Sequence, residues 1–279
     1  MSEPEWFSGD VAANGITIHY SRTGGADGGG KPPLVLSHGA TDNGLCWTRV
    51  ARVLQAEYDV IMPDARGHGL SSAPEGDYGA GVRAADLAGF IAALGLQRPA
   101  VGGHSMGAGT ALRLVADYPD VARCAVLEDP GLRDAPPGAA DPAQQEARRA
   151  RMRQDAAERR ALGREGVLAW IREHRPEWDE AEYGPWVTAQ LQVSERFREA
   201  PRASDRPDWR ELLPRVTCPV LLITADPERG AIVTPEVAAE AQRLQPLVRV
   251  VRLPGAGHNV RREAFEGYVR AVRAFLDAG

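Results

Sequence analysis

Lysine is almost absent from this chain: its 33 basic residues include a single lysine, Lys31, against 38 acidic residues and a net charge of −5. With a pI near 5.8 and no basic block, the electrostatic footprint of a nucleic-acid-binding protein is missing. The lysine scarcity itself reads as a compositional habit. Cysteine is scarce too. Cys46, Cys124 and Cys218 are odd in number, widely spaced and free of any C-x-x-C pair, which speaks against a disulfide framework or a zinc site. Cys124 and Cys218 open apolar runs and read as small core residues. No apolar run approaches the roughly 18 residues needed to span a membrane. The acidic start, Met1-Ser-Glu-Pro-Glu5, lacks the basic and apolar regions of a signal peptide, so a cytoplasmic location is expected. The glycine-rich stretch Gly24 to Gly30 is followed by no helix and is not a phosphate loop. No metal-ligand cluster, cofactor motif, repeat or low-complexity tract appears, so neither metal nor cofactor is expected. Nothing fixes the oligomeric state.

What is present is an alternation. The 279 residues, 43% of them hydrophobic, suit one large α/β domain with an inserted lobe. Trp6 to Arg22 reads as a hairpin about Asn14-Gly15, a dipeptide favoured in type I′ turns. Short, wholly apolar strands then alternate with amphipathic helices. The strands are Pro33 to Ser37, Tyr58 to Met62, Ala100-Val101, Ala122 to Leu127, Pro219 to Thr224 and Val248 to Leu253. The helices are Thr48 to Ala56, Gly81 to Leu94, Ala108 to Tyr118, Pro235 to Leu244 and a last one ending at Leu276. Strands buried on both faces between helices predict a doubly wound, mostly parallel β-sheet. The rhythm breaks between Arg133 and about Pro214. There arginine and acidic residues nearly balance, no buried strand is evident, and four of the six tryptophans (Trp170, Trp178, Trp186, Trp209) occur. The expected organisation is therefore a core of residues 1–132 and 215–279, with residues 133–214 as a helical lid.

The stretch Val101-Gly-Gly-His-Ser-Met-Gly107 gathers the chemistry. It has G-x-S-x-G at a strand-to-helix turn, so tight that side chains two positions either side of the serine would clash. Such a turn holds Ser105 in a strained conformation beside a helix N-terminus, where backbone N–H groups and the dipole favour negative charge. Two further pieces fall at strand ends, His38-Gly39-Ala40 and Gly255-Ala-Gly-His258, with Asp64-Ala-Arg-Gly-His-Gly-Leu-Ser71 between the first and the elbow. In this order they resemble the α/β-hydrolase superfamily from about residue 15 to the C-terminus, the lid excepted. The resemblance implies a serine nucleophile, a late histidine, an acid and an oxyanion hole. A serine hydroxyl attacks only if a neutral imidazole removes its proton. His258, in a small-residue turn after the last strand, is the candidate base among six histidines. His19 reads as structural, His38 and His68 as loop braces, His104 as an orienter of the elbow, and His174 as a lid residue. The resemblance gives the oxyanion donors as the backbone amides of Ala40 and Met106. Asp64, Arg66 and His68 look catalytic but in the superfamily brace neighbouring loops.

The expected acid is Asp129, with Asp226 and Glu228 as alternatives. Superfamily members usually carry it after the strand that here is Pro219 to Thr224, in a Gly-x-x-Asp pattern. Here Ala225 holds the glycine slot, the acid slot falls on Glu228 or, counted back from Ile232-Val233, on Gly230, and Asp226 stands nearby. Some branches place the acid one strand earlier, where Asp129 ends Cys124-Ala-Val-Leu-Glu-Asp-Pro130. Asp-Pro is also a common turn former. The lid tryptophans either line an apolar pocket or pack the lid onto the core. Arg148, Arg149, Arg151, Arg153, Arg159 and Arg160 share one helix, most pairing with Glu146, Asp155 and Glu158, with one or two free to meet a substrate carboxylate. The expected function is hydrolysis of a small carboxylic ester or amide through an acyl-enzyme. A lactonase, a diketone C–C hydrolase and a cofactor-free perhydrolase are rivals on the same fold, and a ligand-sensing protein is a rival of another class. Serine at position 105 disfavours dehalogenase and epoxide-hydrolase chemistry, which uses a carboxylate nucleophile.

Overall fold

The computed structural model describes residues 6–133, 142–200 and 208–278. The N-terminal hairpin forms as expected, β1 (Phe7–Ala13) pairing antiparallel with β2 (Ile16–Arg22). Asn14 and Gly15 both take positive φ, 48° and 76°, as a type I′ turn requires. The chain continues through β3 (Pro33–Ser37), α1 (Thr48–Leu54), β4 (Asp59–Pro63), α2 (Ala80–Ala93), β5 (Ala100–His104), α3 (Met106–Asp117) and β6 (Cys124–Glu128). Helices α4 (Pro142–Ala161), α5 (Gly163–His174), α6 (Glu180–Gln192) and α7 (Glu195–Glu199) follow. The remainder is α8 (Trp209–Leu212), β7 (Val220–Thr224), α9 (Pro235–Leu244), β8 (Val248–Arg252), α10 (Val260–Glu263) and α11 (Phe265–Leu276).

The eight strands form one sheet in the order β1-β2-β4-β3-β5-β6-β7-β8. β2 meets β4 antiparallel and every later pairing is parallel. Side chains alternate across it with the period of two that a strand imposes. Val35, Val101, Ala125, Leu127, Val220 and Leu222 face a core completed by α2, α3 and α9. Leu34, Leu36, Val60, Val126, Leu221 and Ile223 face a second core completed by α1 and α11. A sheet buried on both faces needs apolar residues at every position, which is why its strands read as continuous runs.

Helices α5 and α6 form a third apolar cluster, in which Val167, Ile171, Trp178, Tyr183 and Trp186 meet Cys46 of the main body. Trp170 and Trp178 both contact the Trp186 ring, the first stacked and the second edge-on. Trp209 behaves differently: it is buried in the core of the α2–α3 face, and its indole N–H donates to the Arg133 carbonyl at 3.1 Å. Of the arginine run, Arg148 and Arg149 carry side chains outside the described residues. No helix among the described residues is long and apolar enough to cross a membrane.

Candidate active site

The elbow forms at the carboxyl end of β5. Ser105 takes φ 52° and ψ −108°, a region disfavoured for a residue with a Cβ, and such strain typically costs about 1–3 kcal/mol. Its flanking glycines are required by close backbone approach. A Cβ on Gly103 would lie 2.3 Å from the Gly107 carbonyl carbon, and one on Gly107 would lie 2.1 Å from the Ser37 oxygen. The turn is tied to the next strand, since Ser105 N–H donates to the Glu128 carbonyl at 2.9 Å. α3 begins at Met106, so the amide of Met106 belongs to the first, unpaired turn of a 12-residue helix.

One residue beyond Glu128, Asp129 also takes a positive φ, 39°, and is fully buried. Aspartate tolerates this left-handed region better than most residues because its short polar side chain bonds locally. Its carboxylate accepts from Ile232 N–H at 2.8 Å and Val233 N–H at 3.0 Å, and from His258 Nδ1 at 2.6 Å. Of the three carboxylates that sequence leaves open, Asp129 is the one the fold brings to His258. Asp226 instead accepts from Gly255 N–H at 2.7 Å and from Arg252 at 2.8 Å, which brings its carboxyl below the usual range and braces the turn leading to His258. Glu228 is exposed. The loop after β7, the usual source of the acid in the superfamily, here supplies the amides of Ile232 and Val233 that hold Asp129.

The remaining histidines sort by their bonds. His19 sits between Asp10 and Ser8 in the hairpin. His38 donates from Nδ1 to the Gly39 carbonyl and accepts the Ala65 N–H at Nε2, while His68 contacts the carbonyls of Arg66 and Ala40. Burial lowers both, His68 to about 3. Asp64 accepts from the amides of Gly44 and Leu70, and Arg66 pairs with Asp86, so the Asp64 loop is a brace. His104 departs from its expected part. It donates from Nε2 to the main-chain carbonyl of His258 at 2.9 Å, with the two rings 4.6 Å apart. It supports the His258 turn.

A buried ionic cluster beside the site escaped sequence reasoning. Asp42 accepts from Arg261 at 2.7 Å and Arg262 at 3.1 Å. Although burial alone would raise it, these two guanidiniums hold the Asp42 carboxyl far below the usual range. Glu128 accepts the Arg261 N–H at 2.8 Å, and burial pushes its carboxyl up to about 7. The available signal was an acidic residue ending an apolar strand and an Arg-Arg pair three residues after His258, both easily taken for surface charge.

Above the elbow, Ala40 and Met106 pack against Tyr78 with Val193, Phe197 and Ala200 from the end of α6 and from α7. Ser194 N–H donates to the Gly67 carbonyl at 2.8 Å. Arg198, adjacent to Phe197, has a side chain only 12% exposed and pairs with Glu195, which Arg160 also meets. Arg159 lies over the Trp170 ring, and its buried Nε has no hydrogen-bond partner among the described residues. Burial lowers the guanidinium pKa of both Arg159 and Arg198. No group of residues suited to a metal ion occurs among the described residues.

Comparison with known proteins agrees with this architecture. The pattern of the alpha/beta hydrolase family matches residues 34–271. An N-formylmaleamate deformylase of Pseudomonas putida is 34% identical over 278 residues, 96% of each chain. The crystal structure of an E-2-(acetamidomethylene)succinate hydrolase superposes with a TM-score of 0.77 at 26% identity, covering 98% of this chain and 100% of that one. A thermophilic esterase from Thermogutta terrifontis, solved with malate bound, superposes with a TM-score of 0.72 at 27% identity over 98% of both chains. With its sheet order, its elbow and a family match across most of its length, the chain is an enzyme that belongs to the alpha/beta hydrolase family.

Proposed function

We propose that this chain hydrolyses a small amide or ester carrying a carboxylate, through an acyl-enzyme on Ser105. The observation that carries this reading is the bond between the half-buried His258 and the fully buried Asp129, 2.6 Å apart, at the strand end next to a serine held at φ 52°. With its Nδ1–H bound to Asp129, His258 presents Nε2 as the base. Ser105 Oγ forms a bond to the substrate carbonyl carbon as Nε2 takes its proton, and Asp129 stabilises the resulting imidazolium. The amides of Ala40 and Met106 hold the oxyanion. The C–N or C–O bond then breaks and Nε2 returns the proton to the leaving nitrogen or oxygen. Water repeats the sequence on the acyl-serine and releases the acid. Helices α4 to α7 act as the cap, with Val193, Phe197 and Ala200 seated over the oxyanion residues.

The substrate class rests on two supports. The relatives' names place carboxylates on their substrates, a maleamate and a succinate. In this chain, Arg159 lies over the Trp170 ring with a buried N–H left unpartnered among the described residues, and Arg198, next to Phe197 in the chain, is partly desolvated and pairs with Glu195. A guanidinium taken from water and left short of acceptors favours a carboxylate ligand.

The test uses N-formyl and N-acetyl amides in matched carboxylate and methyl-ester forms, with p-nitrophenyl acetate as a neutral reporter. A stoichiometric burst and an acyl adduct on Ser105 by mass spectrometry are expected, both abolished in Ser105→Ala. Arg198→Ala or Arg159→Ala lowers kcat/KM on the carboxylate amide by about tenfold or more and leaves the neutral ester within about threefold, a loss near the worth of one charged hydrogen bond. Equal losses on both substrates refute the carboxylate assignment. Turnover that survives in Ser105→Ala refutes the acyl-enzyme.

A further inference from the structure

Four residues beyond His258 stands a guanidinium that faces both the main body and the cap. Arg262 is buried, and a buried cation persists only where its hydrogen bonds are met by opposing charge. Its partners come from three places. Asp42, two residues past Ala40, accepts at 3.1 Å. Asn259, the residue next to His258, accepts through Oδ1 at 3.0 Å. Glu182 of cap helix α6 accepts at 3.1 Å, and the cap's Trp178 ring lies 4.5 Å from the guanidinium carbon.

The turn from His258 to Arg261 is otherwise held from the sheet. Asp129 grips the His258 ring, and its neighbour Glu128 accepts the Arg261 N–H at 2.8 Å. Adjacent carboxylates on one strand thus clamp the two ends of a four-residue turn, while His104 supports its main chain from below. Arg262 supplies a fourth attachment, and it leads into the cap. A surface cleft of about 580 Å³, lined by Arg49, Trp178, Arg262, Glu263 and Phe265 among others, runs along the same seam.

We infer that Arg262 and Glu182 are positioning residues for His258, tying the place of the base to the seating of the cap. This rests on the reading of His258 as the base. A guanidinium suits the task because its planar fork serves several acceptors in fixed directions, whereas an ammonium is a single point charge. The reaction needs the imidazole within hydrogen-bond reach of Ser105 Oγ, and a displacement of about 1 Å is enough to cost about 10²-fold in rate. With Glu182 neutral, Arg262 keeps Asp42 and Asn259 but loses its charged anchor in the cap, and the base is no longer held to one place as the cap closes over substrate.

The experiment is Glu182→Gln, which keeps shape and an acceptor oxygen while removing the charge, with Arg262→Lys as a second variant. Pre-steady-state acylation by p-nitrophenyl acetate separates kcat effects from KM effects, and the downfield proton resonance of the His258–Asp129 hydrogen bond reports the base directly. The expected result is an acylation rate down about 10- to 100-fold with KM within about threefold, accompanied by a shifted or broadened resonance. Arg262→Lys falls at least as far, because charge without the fork does not rescue. An acylation rate within twofold of wild type in a cooperatively folded Glu182→Gln protein overturns the inference, as does a rise in KM alone with an unchanged resonance. If Arg262→Lys does not fold, Glu182→Gln carries the test by itself. His258→Ala separates the two levels. Activity retained in that variant sinks the proposed mechanism, whereas a dead His258→Ala beside a full-speed Glu182→Gln sinks only this coupling.

Discussion

Replacing Asp129 by asparagine probes the site most directly, because the structure says what each atom of the new side chain must meet. In the native protein Oδ1 accepts from Ile232 and Val233 N–H, both at 3.0 Å, and Oδ2 accepts from Ile232 N–H at 2.8 Å and His258 Nδ1 at 2.6 Å. Asparagine keeps one acceptor oxygen, which the two backbone amides claim at the Oδ1 position. The amide nitrogen then occupies the Oδ2 position and offers a proton where His258 Nδ1 offered one. Two donors cannot share a bond, so the imidazole moves its proton to Nε2 and loses the lone pair that should receive the Ser105 proton. A wrong tautomer of this kind costs about 10⁴ in kcat, equivalent to about 5 kcal/mol of barrier at about 1.4 kcal/mol per tenfold. Backbone strain is not the cause, since asparagine accepts the φ of 39° that Asp129 adopts. Stability should fall by only about 1–3 kcal/mol, the cost of one charge-assisted bond and the protons it leaves facing each other. Steady-state hydrolysis with wild type, Asp129→Asn, Asp226→Asn and Glu228→Gln, each checked by urea denaturation, decides the matter. Near-wild-type turnover in Asp129→Asn together with a ~10⁴-fold loss in Asp226→Asn or Glu228→Gln refutes the assignment.

Gly107→Ala puts a Cβ 2.1 Å from the Ser37 oxygen and 2.7 Å from that of His38, both backbone, so it should destabilise by about 3 kcal/mol or more. Gly109→Ala meets nothing within 4 Å inside the same helix and should stabilise by up to about 1 kcal/mol; equal urea midpoints for the two variants contradict the elbow argument. His38 is lowered from its ordinary 6.5 by burial and accepts the Ala65 N–H at Nε2, a bond that protonation breaks. The unfolded chain therefore binds this proton first, so the stability His38 contributes is complete above about pH 6.5 and is lost as pH falls. Glu128, raised to about 7 by burial, acts in the opposite direction, favouring the folded state as pH drops from 7 toward 4.5. The measurement is thus the difference between wild type and His38→Gln across pH 4 to 8. The stability gap should narrow on acidification, and a gap independent of pH shows that the imidazole does not titrate as described.

How much could be read beforehand follows from where the information is local. The strands, the hairpin and most helices follow from apolar periodicity and turn residues, which act over a few positions. The elbow is only partly local: a Cβ on Gly103 would strike the Gly107 backbone four residues on, whereas Gly107 is required by the Ser37 and His38 oxygens at the end of a distant strand. The acid was different. Asp129, Asp226 and Glu228 are equally competent carboxylates, and their distances along the chain carry no record of which loop folds over which. The parallel pairing of β6 with β7 brought the amides of Ile232 and Val233 onto Asp129 and sent Asp226 to Arg252. Trp209 was grouped with the lid by position, yet its register puts it in the main core. Nothing local marks Arg261 and Arg262 for burial; the fold places them between Asp42, Glu128 and Glu182, residues drawn from 42 to 182 along the chain. The sequence by itself determined the kind of protein and the place of the Ser105 turn, because apolar periodicity and the strand–turn–helix pattern are written in near neighbours. The partner of His258 and the ionic link from Arg262 to Glu182 were decided by tertiary structure alone, because desolvation and charge pairing depend on which distant segments share a dry interior.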